Sequence, residues 1–93
     1  MTEVLEVVLG EVLREKKATI TLAESCTGGL ISHRITNVPG SSAYFERGIV
    51  AYSNQAKIDH LGVSEKILND YGAVSSETAM AMASGIRKVA NAT

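Results

Sequence analysis

The sequence is poor in the residues that mark special classes of protein: it has no tryptophan, one phenylalanine, three tyrosines, one cysteine and one proline. A single cysteine excludes an internal disulfide and a zinc cluster built from cysteines of this chain. With so few aromatic residues, the core has to be made of Val, Ile, Leu, Ala and Met. Because a chain of 93 residues buries a core with little margin, we expect a partner subunit to add stability.

Several patterns tied to particular partners are also missing. Nine Lys and Arg residues are spread along a chain of formal net charge −1, so no nucleic-acid partner is expected. No segment approaches the roughly 20 apolar residues of a membrane span, and the first residues carry acid where a signal peptide carries base. His33 and His60 are isolated, so no metal is expected. These observations predict one cytoplasmic domain over residues 1–93.

Hydrophobic spacing predicts helices that alternate with short strands. The predicted elements are a helix over 3–16, a strand over 18–23, a helix over about 28–37 and a strand over 48–52. Three helices follow, and each has a residue placed to cap its first turn: Ser53 or Asn54, then Ser64, then Ser75. This order predicts an α/β domain with about two strands and four to five helices.

Two strands alone do not form a stable sheet in water. The chain also ends after a helix, where an α/β chain would normally return a strand. We therefore expect a truncated domain, and we expect the free strand edges to make the chain a homo-oligomer.

The turn at residues 24–29 follows the first predicted strand and leads into a helix. Backbone N–H groups at such a turn can hold a phosphate or an oxyanion, and the hydroxyls of Ser25 and Thr27 can add donors. Cys26 lies beside this anion site. The alternative is that a hydroxyl simply caps the helix while the two glycines make a tight turn.

Two further patches contain polar side chains. Ser41 and Ser42 lie on a loop that begins with Pro-Gly, where a hydroxyl acts as a nucleophile if a base is near, or is ordinary loop material. Lys57 lies one helical turn after Asn54, and this places it over the end of the second strand. Such an amine acts as a general base when it is neutral, and Tyr52 could donate a hydrogen bond to it. The alternative is a solvated lysine.

Five ordered blocks together resemble the CinA C-terminal domain family. They are AESCTGG at 23–29, PGSSAYF at 39–45, GIVAYSNQAK at 48–57, LGV at 61–63 and GAVS at 72–75. The resemblance covers about residues 1–90 and implies a layered α/β/α domain. Family members of this kind hydrolyse the carboxamide of nicotinamide mononucleotide, which gives nicotinate mononucleotide and ammonia.

The resemblance also implies roles for individual residues. It makes Ser42 the nucleophile and Lys57 its base, and it places Ser25 and Tyr52 at assisting positions. The implied substrate-binding residues are Ser41, Cys26, Thr27, Gly28 and Gly29. No metal or cofactor is implied, and the implied partner is a pyridine nucleotide.

The family domain continues beyond the point that matches Thr93, with further strands, a Thr-Gly-x-Ala-Gly-Pro turn and an arginine that helps to hold the nucleotide. The chain is therefore expected to carry the nucleophile half of the site. The alternative function is that of an inactive binding or oligomerising fragment of the same family.

Overall fold

The structure is a computed structural model and describes residues 4–93. Its helices are α1 (Leu5–Lys16), α2 (Leu30–Thr36), α3 (Asn54–Leu61), α4 (Glu65–Tyr71) and α5 (Ser76–Ala90), and its strands are β1 (Ile20–Glu24) and β2 (Phe45–Val50). A single 3-10 turn, Ser41–Ala43, precedes β2. Five helices and two strands confirm the predicted α/β class. Glu3, part of the predicted first helix, lies outside the described residues.

The last three helices begin where the sequence predicts. The side-chain oxygens of Ser53, Ser64 and Ser75 each accept a hydrogen bond from a backbone N–H in the first turn of α3, α4 and α5. These bonds satisfy helix donors that have no partner inside the helix. Gly62 ends α3 in the left-handed conformation, with φ 66°, which favours glycine.

The two strands are parallel, and α2 forms the crossover between them. The register pairs Leu22 with Gly48 and Glu24 with Val50, and it shifts by one residue between Ile20 and Thr21, at the amino end. The predicted bounds of β2 are wrong at both ends. The strand begins three residues earlier because Phe45 and the exposed, charged Arg47 pair with β1, with Glu46 between them as an extra, unpaired residue. It ends at Val50 because the chain then turns into the cap of α3.

Helices cover both faces of the sheet. Ala23 and Ile49 are register partners and pack on the core cluster formed with α3, α4 and α5. Glu24 and Gly48 face the opposite side, where both contact Ser32 of α2. Alternate residues of a strand point to opposite faces, so this pattern confirms three layers in the order α/β/α.

The core lies between the sheet and the last three helices. Its buried apolar members are Ala51, Leu61, Val63, Leu68, Met82 and Ile86. Helix α5 lies close to the end of α3 because Gly85 has no side chain. A Cβ at this position would collide with the carbonyl oxygen of Leu61. Helix α5 packs against both α3 and β2, and α3 carries Lys57.

The outer edge of β1 is unpaired within residues 4–93, since the described sheet contains β1 and β2 alone. Thr93 lies beside the start of β1, and its backbone N–H donates to the Thr19 hydroxyl at 3.1 Å. Among the described helices, none combines the length and the apolar character needed to cross a membrane.

Candidate active site

The carboxyl ends of β1 and β2 bring two of the polar segments together. Glu24 ends β1 and the 25–29 turn follows it, while Tyr52 and the start of α3 follow β2. The backbone N–H of Ala51 donates to the Glu24 carbonyl oxygen at 2.8 Å, which ties the two strand ends together. Because the strands are parallel, both segments lie at the same edge of the sheet. This is the edge at which open α/β sheets bind ligands.

Lys57 is buried at this edge, with 1% of its surface exposed. Its side chain runs back from α3 to the end of β2, where Nζ donates to the backbone oxygen of Tyr52 at 2.7 Å. None of the ion pairs found within residues 4–93 involves Lys57. A buried lysine without a carboxylate partner is the kind that serves as a general base in enzymes.

Ser25 is the first residue after β1 and is half-buried. Its hydroxyl makes no hydrogen bond to any residue of the described chain, whereas its carbonyl oxygen accepts from the Gly28 N–H at 3.1 Å. The hydroxyl is thus held on a closed turn and remains available to another group. Tyr52 lies at the rim of the same edge, with 74% of its surface exposed.

The turn itself needs its two glycines. Gly28 and Gly29 have φ of 62° and 102°, in the region that side chains rarely adopt. Cys26 and Thr27 are exposed, and their backbone N–H groups bond to no acceptor within residues 4–93. The Ser25 and Gly29 amides likewise bond to no acceptor within residues 4–93, so the Cys26 and Thr27 amides are two of the donors that the turn can offer to a ligand.

Glu24 is the site residue that the sequence analysis missed. Its carboxylate is buried and accepts from the Thr27 hydroxyl, from the Ile31 and Ser32 amides and from the Ser32 hydroxyl, at 2.6 to 3.0 Å. Burial raises the pKa of Glu24, but the hydrogen bonds from Ser32, Ile31 and Thr27 outweigh it and lower the pKa to about 2. The sequence does contain a signal for this role, because an acidic residue just before the start of a helix can bind the helix amides.

The expected anion site therefore needs a correction. The Ile31 and Ser32 amides, at the start of α2, already bind the carboxylate of Glu24. The Thr27 hydroxyl donates to the same group. A phosphate at the start of this helix would meet an ionised carboxylate, so what the turn can still offer is its own backbone amides, among them those of Cys26 and Thr27.

Acid should destabilise the fold through Glu24. The folded pKa of about 2 lies below the ordinary value of 4.5, so the stabilisation is complete above pH 4.5 and is lost as the pH falls toward 2. The difference corresponds to about 3 kcal/mol in the free energy of unfolding. Urea unfolding at pH 7, 4 and 3 should show that the free energy of unfolding falls more steeply with decreasing pH in the wild type than in Glu24→Gln. Equal slopes would contradict this assignment, and Glu65→Gln, an exposed control, should keep the wild-type slope.

Ser41 and Ser42 lie at the other edge of the sheet. They precede β2, and the Ile20 amide donates to the Tyr44 carbonyl at 2.8 Å, which fixes this segment beside the start of β1. The six residues of β2 separate the segment that carries Ser41 and Ser42 from Tyr52 by about 20 Å of strand. Ser42 is exposed, and the Ser41 hydroxyl donates to the Thr36 carbonyl at 3.5 Å. No hydrogen bond joins Ser42 to Lys57 within residues 4–93, and the pairing implied by the resemblance stays a prediction.

A groove of about 500 Å³ runs along the unpaired edge of β1 to the turn. Ser25, Cys26 and Thr27 lie at its end, and Ala79 and Met82 of α5 form its opposite wall. The groove gives a ligand access to the same turn that presents Ser25.

The fold and the site define a three-layer α/β protein in which a serine, a tyrosine and a buried lysine lie at the carboxyl edge of a parallel sheet. The chain belongs to the CinA family, since the model of the CinA C-terminal domain matches residues 2–93. The family expected from the sequence blocks is thereby confirmed.

Similar proteins are found both in sequence and in structure. A putative competence-damage inducible protein of Halothermothrix orenii is 60% identical over 80 residues, which cover 86% of this chain and 19% of that protein. Another, from Acetivibrio thermocellus, is 58% identical over 89 residues, which cover 96% of this chain and 22% of that protein. The chain thus spans about a fifth of the length of these curated relatives.

Two solved structures have the same fold. The competence/damage inducible protein CihA of Agrobacterium tumefaciens superposes with a TM-score of 0.91 at 42% identity, over 95% of this chain and 53% of that one. A CinA superfamily protein of Escherichia coli superposes with a TM-score of 0.93 at 34% identity, over 95% and 51%. The chain therefore corresponds to about half of each solved structure.

Proposed function

We propose that the chain is an amidohydrolase domain that acts on the carboxamide of nicotinamide mononucleotide, with Ser25 as nucleophile and Lys57 as base. The observation that carries the proposal is the buried Lys57, which lacks a carboxylate partner and lies at the same sheet edge as a serine hydroxyl without an internal hydrogen bond. The resemblance to the nucleotide amidohydrolases of the family supplies the substrate class. The resemblance pointed to Ser42 as nucleophile, and the geometry favours Ser25 instead.

In the first half of the reaction, neutral Lys57 takes the proton of the Ser25 hydroxyl while the Ser25 oxygen attacks the carboxamide carbon. The amides of Cys26 and Thr27 are the donors proposed to stabilise the negative charge that develops on the carboxamide oxygen. The C–N bond then breaks, and the leaving nitrogen takes the proton from Lys57 and departs as ammonia. An ester between Ser25 and the nicotinoyl group remains.

In the second half, Lys57 removes a proton from water and the resulting hydroxide attacks the ester carbonyl. The Ser25 oxygen leaves and recovers its proton from Lys57, so nicotinate mononucleotide is released and the enzyme returns to its starting state. The backbone oxygen of Tyr52 keeps the amine at the sheet edge in both halves. The exposed Tyr52 hydroxyl is proposed to assist at the rim.

The experiment is to incubate the purified chain with nicotinamide mononucleotide. Ammonia should be followed with a coupled assay and nicotinate mononucleotide by mass spectrometry, and the two should appear in equal amounts. Nicotinamide riboside, which lacks the phosphate, serves as a matched substrate that reports on phosphate recognition. Absence of both products at high enzyme concentration would contradict the proposed function.

The second candidate function is that of an inactive binding or oligomerising fragment. The observation in its favour is the unpaired edge of β1 within residues 4–93, beside an open groove. A free edge pairs readily with another chain. Light scattering that gives a dimer or larger species without ammonia release would support this candidate. A monomer that releases ammonia would contradict it.

A further inference from the structure

We propose that Glu24 is the positioning residue of the site: its carboxylate holds the turn that presents the Ser25 hydroxyl to Lys57. The inference rests on the proposed role of Ser25 as nucleophile. It goes further because it assigns a function to a buried acidic group that takes no part in the chemical steps.

Both carboxylate oxygens of Glu24 accept hydrogen bonds from the turn or from the start of α2. Oε1 accepts from the Thr27 hydroxyl at 2.8 Å and from the Ile31 amide at 2.9 Å. Oε2 accepts from the Ser32 amide at 3.0 Å and from the Ser32 hydroxyl at 2.6 Å. Each oxygen thus receives two donors, as an ionised carboxylate can.

These bonds fix both sides of Ser25. On its amino side, the Glu24 carbonyl accepts from the Ala51 amide, and this bond fixes the end of β1 beside the end of β2. On its carboxyl side, Thr27 and the start of α2 are bound to the Glu24 side chain. The backbone of the turn therefore has little freedom to move Ser25 away from the sheet edge.

The position of Ser32 depends on the absence of a side chain at Gly48 of β2. A Cβ built at Gly48 would collide with the Ser32 hydroxyl, so the missing side chain leaves the space in which Ser32 reaches Glu24. Because Gly48 has an ordinary negative φ, its role is one of space rather than backbone conformation.

A glutamine at position 24 keeps the size of the side chain but replaces one of its two acceptor oxygens by an NH₂ donor. In either orientation its NH₂ group would face one hydroxyl, which can rotate to accept from it, and one backbone N–H, which would lose its acceptor. Glu24→Gln should lower kcat by about 10²-fold, with KM changed by less than about threefold, since a shift of about 1 Å at a reacting group has an effect of this size.

The experiment compares folded protein only, at a temperature well below unfolding and with circular dichroism as the check. Kinetic constants for nicotinamide mononucleotide are measured together with the rate at which phenylmethylsulfonyl fluoride modifies Ser25, read by mass spectrometry. Glu65→Gln is the control, because Glu65 is an exposed glutamate in the first turn of α4. The double variant Glu24→Gln, Ser32→Ala removes one of the hydroxyls that face residue 24 and should be no slower than Glu24→Gln.

Slower Ser25 modification in folded Glu24→Gln, with wild-type rates in Glu65→Gln, would support the inference. Equal modification rates and equal kcat in folded Glu24→Gln and wild type would overturn it, as would a wild type in which Ser25 is not modified. A wild type that is modified at Ser25 but releases no ammonia would count against the proposed function alone. In that case the modification rates still decide the role of Glu24.

Discussion

Replacing Ser25 by alanine is expected to reduce the release of ammonia from nicotinamide mononucleotide by roughly 10⁴-fold or more, the scale seen when a serine hydrolase loses its nucleophile. The reason is that no other hydroxyl at the carboxyl edge follows a strand directly and is free of internal hydrogen bonds within residues 4–93. Steady-state assays and mass spectrometry of the acyl-enzyme are the measurements. Ser25→Ala should form no covalent adduct.

Ser42→Ala is the matched control for this prediction. Ser42 is exposed and lies at the amino end of β2, so its replacement should leave the rate within a few-fold of wild type. The opposite result, with Ser42→Ala inactive and Ser25→Ala active, would contradict the assignment. It would favour the nucleophile implied by the resemblance, with the lysine coming from another subunit.

Lys57→Met should lower kcat by about 10²- to 10⁴-fold while the chain stays folded. Methionine has a similar length and suits the buried position, but it cannot accept the Ser25 proton. The control is Lys66→Met, because Lys66 is exposed and pairs with Asp70 at 2.7 Å on the surface of α4. Steady-state rates and thermal unfolding of both variants are the measurements.

The double variant Ser25→Ala, Lys57→Met tests whether the two residues act as a unit. A nucleophile and its base depend on each other, so the double variant should be no slower than Ser25→Ala alone. Multiplicative losses would mean that Lys57 acts independently of Ser25, and they would contradict the proposed mechanism.

Most of the fold could be predicted from local patterns. The serine caps and Gly62 fixed three helix starts and one helix end because these signals act within a single turn of chain. The start of β2 could not be predicted in this way. Glu46 and Arg47 are charged and exposed, and this part of the chain is a strand because Phe45 and Arg47 pair with β1, which is distant in sequence.

The site was predicted less well because the order and direction of the strands, and not a local motif, bring its residues to one edge of the sheet. The sequence pointed to Lys57, Ser25 and Tyr52 as well as to Ser42, but local motifs do not say which edge of the sheet each one occupies. The order of elements does: Ser25 follows a strand, whereas Ser42 precedes one. Glu24 was missed because its place before a helix start signals an interaction with that helix but not a buried carboxylate with four hydrogen bonds.

The register shift at the amino end of the sheet bears on how the family can vary in length. Ile20 pairs with Phe45 and Thr21 with Arg47, so β2 takes up its extra residue, Glu46, before the ladder becomes regular. From there the pairing continues without interruption to Glu24 and Val50. An insertion or deletion in the segment before β2 can thus be absorbed at this bulge, and the residues at the carboxyl edge keep their alignment through such changes.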